Sequence, residues 1–270
     1  LGFTISKSML KFRSNVIELI KNLTSAEVRE QIPAFDTPYS LFYIPAKQLA
    51  FHLIPLPCQN TEPEQQYFLQ NISLKAKQQN IRLINLFEDF FYIKNAIVSQ
   101  RIASLLGVFT RIHARNTIVK RIDKNTLKNF LINNNLYESP TARYKYGLYE
   151  NNKLVAAASF SSGRPINRNT KTFRSFELVR FANLGASIVA GGVGKLLNHF
   201  IKELKPDDIM SYADLDWSSG VSYEKLGFQL DSITPPQAFW INTKEKIRYY
   251  PHKLPHEIVN ESIKRNISIE

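Results

Sequence analysis

The stretch from Ser187 to Phe228 reads SIVAGGVGKLLNHFIKELKPDDIMSYADLDWSSGVSYEKLGF. Gly191, Gly192 and Gly194 form a turn, and from Lys195 to Leu204 the residues Leu196, Leu197, Phe200, Ile201 and Leu204 recur on one helical face. The pattern predicts a glycine loop feeding straight into an amphipathic helix, whose first backbone N–H groups have no partner inside the helix. Those donors and the positive helix end make a seat for an anion, most often a phosphate. Lys205-Pro206 ends the helix, Asp208 to Ala213 reads as a short buried strand, and Ser218 to Leu226 as a second short helix closed by Gly227.

Outward from this unit, the chain runs to 270 residues with 44% hydrophobic content, enough for one large domain or two of ordinary size. No apolar run approaches the roughly 18 residues needed to span a bilayer. Cys58 is the one cysteine, so there is no internal disulfide and no zinc cluster of cysteine and histidine type. It reads as a structural thiol in a protein of the reducing cytoplasm. A net charge of +12 favours a polyanionic partner such as nucleic acid, with DNA the expected form.

Upstream, Arg111 to Ile122 is a basic, strand-like connector, and Asp123 or Asn125 caps a helix through Leu131 and Ile132. Arg143 to Tyr149 and Leu154 to Phe160 predict a hairpin. Ser161 to Lys171 reads as a loop, followed by a strand from Phe173 to Phe181 that carries Glu177 and Arg180. Arg164, Arg168, Lys171 and Arg174 either grip phosphates or are solvated surface charges. Beyond Phe228, Gln229 to Ile233, Ala238 to Ile241 and Ile247 to Tyr250 predict edge strands, and residues 251–270 a peripheral tail.

The order strand, glycine turn, helix, strand, helix, with the ending Tyr223-Glu224-Lys225-Leu226-Gly227-Phe228, resembles the heart of the GNAT acyltransferase fold. The resemblance implies a turn, Gly191, Gly192, Gly194 and Lys195, that holds the pyrophosphate of an acyl-coenzyme A (acyl-CoA), and a Tyr223 that protonates the departing thiolate. The family's Gln/Arg-x-x-Gly-x-Gly/Ala pattern falls on Val189, Gly192 and Gly194, with Val189 in place of the basic residue. Ser211-Tyr212-Ala213-Asp214, Trp217-Ser218 and Tyr223 are similar to a stretch of the phage Mom family, GNAT-like proteins that modify adenines in DNA. That likeness implies Asp214 at the end of a central strand, where a carboxylate acts as base or binds a metal; transfer to an amine needs a base, which Asp214 or Glu177 can supply. Alternatively, Asp214 and Asp216 cap the helix that begins near Trp217, and Tyr223 packs with its hydroxyl hydrogen-bonded.

The first half reads as strands Leu41 to Pro45 and Gln48 to Ile54, a helix Glu64 to Gln79, a strand Ile81 to Phe87, and a helix Ile93 to Leu106 ended by Gly107. FYIPAKQLAF, NIRLINLFEDFF and IVSQRIASLLG resemble the very-short-patch-repair-like branch of the PD-(D/E)XK nuclease fold, found in phage and mobile-element proteins that continue into a GNAT-like domain. Such nucleases need clustered carboxylates to hold Mg²⁺. The family's carboxylate positions fall here on Leu41 and His52, and its later histidine on Phe68. Glu88 and Asp89 remain, and read as an acidic pair capping the next helix; His52 reads as a core or edge histidine.

The chain is thus expected to be α/β (α+β). Residues 1–110 form a degenerate nuclease-like domain, 111–250 a GNAT-like domain and 251–270 a tail. The expected function is a GNAT-fold group transferase acting on or at nucleic acid. Two alternatives stand beside it: a non-enzymatic DNA-binding protein of a mobile element, and a homing-type endonuclease. Gly192→Asp is expected to abolish coenzyme binding without unfolding the chain.

Overall fold

Helix α1 (Lys7–Leu23) places Phe12, Val16 and Ile20 one turn apart, and all three are buried against the first of two main sheets. This computed structural model describes residues 7–30, 32, 35–56, 67–137, 141–168, 171–242, 244–250 and 253–264. Cys58 and the ends of the tail lie outside the described residues.

The first sheet runs β1 (Arg29–Glu30), β2 (Ser40–Ile44), β3 (Leu49–Ile54), β4 (Arg82–Phe87) in that spatial order. β2 and β3 form an antiparallel hairpin that turns at Gln48, a residue with φ of 48°. β3 and β4 are parallel, as a connection through helix α2 (Phe68–Gln78) requires. Every residue of β3 is buried, which fits a central strand covered on both faces. Helices α3 (Glu88–Ile93) and α4 (Asn95–Leu106) follow, where a single helix from Ile93 was expected; Gly107, at φ 92°, ends α4. Two members of this core come from far along the chain, Leu136 and Trp217.

After β5 (Thr110–His113) and β6 (Ile118–Arg121), helix α5 (Lys124–Asn134) starts at Asp123, whose carboxylate accepts from the Thr126 N–H at 2.8 Å. The second sheet contains β7 (Tyr144–Glu150), β8 (Lys153–Phe160), β9 (Arg164–Arg168), β10 (Lys171–Asn183) and β12 (Asp208–Met210), in the order β12-β10-β8-β7-β6 with β9 on β10. β11 (Ser187–Ala190) leaves that sheet and pairs in parallel with β5. Helix α6 (Gly192–Leu204) packs on the sheet through Phe200, whose ring lies flat on Phe160 at 4.0 Å and edge-on to Phe176 at 5.1 Å. The fold is α+β: mixed sheets with helices on their faces.

The arginine-rich stretch expected as a loop is a hairpin, because residues 164–168 pair along the first five positions of β10. Short helix α7 (Val221–Glu224) is followed by residues 228–239 without regular structure, so the strand expected at Gln229 to Ile233 is not formed. β13 (Trp240–Asn242) and β14 (Ile247–Tyr249) pair only with each other among the described residues, and helix α8 (His256–Lys264) stands where a tail was expected. No helix among the described residues is long and apolar enough to cross a membrane.

Candidate functional site

The glycine turn joins β11 to α6. Gly191 has φ 78° and is exposed, a conformation that favours glycine. The first helical bond runs from the Lys195 N–H to the Gly191 carbonyl at 2.9 Å. The N–H groups of Gly192, Val193 and Gly194 therefore precede any intrahelical acceptor. Gly192 is buried, and a Cβ there would lie 3.0 Å from the Val189 Cβ and 3.2 Å from Leu148 Cδ1. Substituting Gly192 therefore tests packing as much as binding, contrary to the sequence expectation for Gly192→Asp. A Cβ on Gly194 would meet only the tip of Leu226, at 3.4 Å.

Lys195 donates from Nζ to the carbonyls of Ala114, at 2.8 Å, and Thr117. Its ammonium thus ties α6 to the connection between β5 and β6. Leu226 brings the segment after α7 beside the turn, and Tyr223 packs edge-on to Phe228 at 5.5 Å. No hydrogen bond or ring contact joins Tyr223 to Asp214 or Glu177 among the described residues.

Glu177 sits where two parallel strands part. Ser175, Phe176 and Glu177 of β10 pair with Asp208, Ile209 and Met210 of β12. The ladder between β10 and β8 slips between Leu178 and Arg180, a bulge that turns the strand. Past the bulge, Ser211 Oγ still donates to the Leu178 carbonyl at 2.9 Å, after which the chain of β12 leaves. The Glu177 N–H donates to Ser161 Oγ at 2.9 Å, and its half-exposed carboxylate has no hydrogen bond or ion pair among the described residues. Arg180 stands over the Tyr137 ring at 5.7 Å; its Nη1 donates to the Val179 carbonyl and its buried Nε has no partner among the described residues.

Asp214 is held on both carboxylate oxygens. Tyr137 donates its hydroxyl to Oδ2 at 2.5 Å, and the Asp216 N–H donates to Oδ1 at 3.0 Å. The Asp214 carbonyl accepts from the N–H groups of Trp217 and Ser218, so Asp214 organises the turn. Burial first, then the neighbouring Asp214 charge, raises the Tyr137 hydroxyl well above its ordinary pKa, which keeps it a donor.

From Asp216 a polar chain runs into the first half. Asp216 Oδ1 accepts from Asn85 Nδ2 at 3.1 Å, and Asn85 Nδ2 also reaches Ser73 Oγ at 3.0 Å. With both amide hydrogens so engaged, Asn85 Oδ1 accepts from His52 Nδ1 at 3.0 Å, and His52 Nε2 accepts from Thr37 Oγ1 at 2.7 Å. His52 is fully buried, and that desolvation holds its imidazole down to about 4. Protein crowds the Asp216 carboxyl, and this desolvation, reinforced by the Asp214 charge, pushes it up to about 7. Arg101 stacks over Trp217 at 4.6 Å beside this chain.

In the first half, Leu41 is a core residue and lies opposite His52 across the β2–β3 ladder. Phe68 at the start of α2 packs by His52, ring centres 6.2 Å apart. Glu88 and Asp89 occupy the first turn of α3, both buried, and each is neutralised by β14 or the turn before it: Glu88 by Lys246, Asp89 by Arg248. A cavity of about 320 Å³ opens beside them, lined by Lys11, Tyr92 and Glu245 among others. No group of three or more metal-ligating side chains is found among the described residues.

Of the basic candidates, Arg164, Lys171 and Arg174 are exposed along the β9–β10 hairpin, with Arg168 paired opposite Lys171. Tyr137, Asn85 and Arg101 were not anticipated from sequence. Tyr137 lies 77 residues from Asp214 and Asn85 131 residues from Asp216, so no local motif could have linked them.

Comparison with protein-family models gives no match, and neither does comparison with curated proteins. A solved structure, an integron cassette protein from the mobile metagenome of V. cholerae, is similar over 48% of this chain and 96% of that one, with 12% identity and a TM-score of 0.35.

Proposed function

We propose that the chain is a GNAT-like group transferase that acts at nucleic acid, carried by a second half in which parallel strands β10 and β12 part at a bulge and a glycine turn opens helix α6. That arrangement is the observation on which the reading rests: paired residues 175–177 and 208–210, the slip at Leu178, and the start of α6 at Gly192. The N–H groups of Gly192, Val193 and Gly194, which precede the first intrahelical acceptor, suit a phosphate, and a bare Gly194 leaves it room. An acyl-coenzyme A bound there would supply an activated thioester. Lys195, committed to the Ala114 and Thr117 carbonyls, adds no contact to that phosphate in this reading.

Among the carboxylates, Glu177 is the base the geometry favours, since Asp214 has both oxygens engaged. With such a thioester bound, Glu177 would accept the proton of an attacking amine and the Tyr223 hydroxyl would supply a proton to the departing thiolate. The net charge of +12 supports nucleic acid as the carrier of that amine. The first half serves as a scaffold in this reading, its acidic pair closed by Lys246 and Arg248.

A second reading, a DNA-binding protein without turnover, is favoured by the inward commitment of Lys195 and Asp214. Calorimetric titration with acetyl-coenzyme A separates the two. The transferase reading expects binding by the native chain and at least a tenfold loss in Gly194→Asp, whose carboxylate would repel the phosphate while suiting a helix first turn. Absence of binding by the native chain defeats that reading.

A further inference from the structure

We propose that the hairpin of β9 and β10 is a ribbon that enters the major groove of duplex DNA; this rests on the reading of the protein as one that acts at nucleic acid. From Lys171 to Arg174, β10 has β9 as its sole strand partner among the described residues, so the pair extends beyond the sheet. No Asp or Glu occurs from Ser161 to Phe176. Arg164, Pro165, Asn167, Lys171, Thr172 and Arg174 are all exposed. The nearest bonded carboxylate, Asp207, accepts from the Arg174 backbone N–H at 2.6 Å, at the base of the ribbon.

Register assigns the side chains to faces. Thr172 lies opposite Asn167 and Arg174 opposite Pro165, so Asn167, Thr172 and Arg174 share one face. Lys171, Phe173 and Arg164 take the other. A hydrogen-bonding pair, Thr172 Oγ1 to Asn167 Oδ1 at 2.8 Å, centres the first face, and an asparagine amide is suited to an adenine edge. Lys171 and Arg164 then stand toward phosphates.

Duplex DNA is the partner these dimensions fit. Two strands about 4.8 Å apart, with side chains, span roughly 10 Å, which a B-form major groove about 12 Å wide admits. The deep, narrow major groove of A-form RNA does not. Single-strand binding relies on exposed rings for stacking, and the ribbon's one ring, Phe173, is only partly exposed. Glu177 lies six residues along the same strand from Lys171, about 20 Å away at the usual strand rise. The groove is thereby held within a few base pairs of the parting strands.

Fluorescence anisotropy on a 20-base-pair DNA duplex, the matching RNA duplex and one DNA strand, across 50–200 mM salt, tests this. The native chain is expected to prefer the DNA duplex. Replacing Arg164, Lys171 and Arg174 by Gln should weaken that binding about 10- to 100-fold and lower the salt slope by about 2 to 3. Lys124→Gln with Lys128→Gln, exposed on α5, should change it less than about twofold, which marks the ribbon rather than bulk charge. Circular dichroism melting identical to native confirms that the triple variant folds. Asn167→Ala should reduce discrimination between A·T and G·C sites. If the native chain binds duplex and the triple variant binds it equally, or if the α5 pair costs as much, the ribbon is wrong and nucleic-acid binding stands. Preference for RNA or the single strand also overturns the ribbon; no binding to any of the three overturns the nucleic-acid reading itself.

Discussion

Arg248 clasps Asp89 through two hydrogen bonds, Nε to Oδ2 at 2.8 Å and Nη2 to Oδ1 at 2.9 Å, across 159 residues of chain. The guanidinium is also packed against Phe87, Phe90 and Phe239, with the last ring centre 3.9 Å away. A planar cation stacked on rings and bidentate to a carboxylate uses every property in which arginine differs from lysine.

Removing one partner leaves the other charge buried. Asp89→Ala is expected to destabilise the chain by about 3 to 5 kcal/mol, measured by urea unfolding. Arg248→Lys should lose much of that stability too, because an ammonium cannot make the fork. With Asp89 and Glu88 both held by cations, plasmid nicking with Mg²⁺ is expected to be absent in the native chain. Nicking that depends on Asp89 would overturn this view of the first half.

His52 and Asp216 stand at two ends of one polar chain and respond to pH in opposite directions. Folded His52 takes its proton only near pH 4, whereas the unfolded chain takes it near 6.5, so this group makes stability rise with pH across that window. Folded Asp216 keeps its proton up to about 7 while the unfolded chain sheds it near 3.8, so this group makes stability fall over that span. Between about pH 4 and 6.5 the two oppose each other. His52→Gln should unmask a fall with rising pH, and Asp216→Asn a rise, each approaching about 1.4 kcal/mol per pH unit at most. Unfolding midpoints collected from pH 4.5 to 7.5 read both slopes; two flat profiles would refute the pairing.

Lys195 is predicted to matter for stability rather than for anion binding. Lys195→Met keeps the stem along α6 and loses the bonds to the Ala114 and Thr117 carbonyls. A loss of about 1 to 3 kcal/mol is expected. Calorimetry with acetyl-coenzyme A should give an affinity within about twofold of native, since the remaining interaction is long-range and screened.

Trp217 joins the two halves. It comes from the turn organised by Asp214, is 2% exposed, and belongs to the core built by α1, β3 and α4. Trp217→Ala should cost about 3 to 5 kcal/mol. Fluorescence and far-ultraviolet circular dichroism are expected to report one common transition, because the first core is incomplete without this residue and Leu136. Two separated transitions would show that the halves unfold independently.

Much of the fold was legible because it is written in short-range periodicity. Leu196, Leu197 and Phe200 mark α6, and Gly107 and Gly191 stand at φ values that glycine favours. Asp123 announced its helix by the same local chemistry. The arginine hairpin was missed because Gly, Pro and Asn residues read as a loop, while the pairing that makes it a ribbon depends on the strand beyond. The split of α3 from α4 and the helix in the tail are similar failures of local pattern against packing.

By itself the sequence determined the α+β class and the glycine turn ahead of an amphipathic helix. Those features follow from residue type and spacing over a turn or a strand. Only the tertiary structure decided that Asp214 is bound by Tyr137, that Lys195 points to carbonyls of a neighbouring connection, and that the Glu177 carboxylate has no partner among the described residues. Side-chain availability depends on partners tens of residues away, and that proximity arises from how the sheets and helices pack rather than from any stretch of chain read alone.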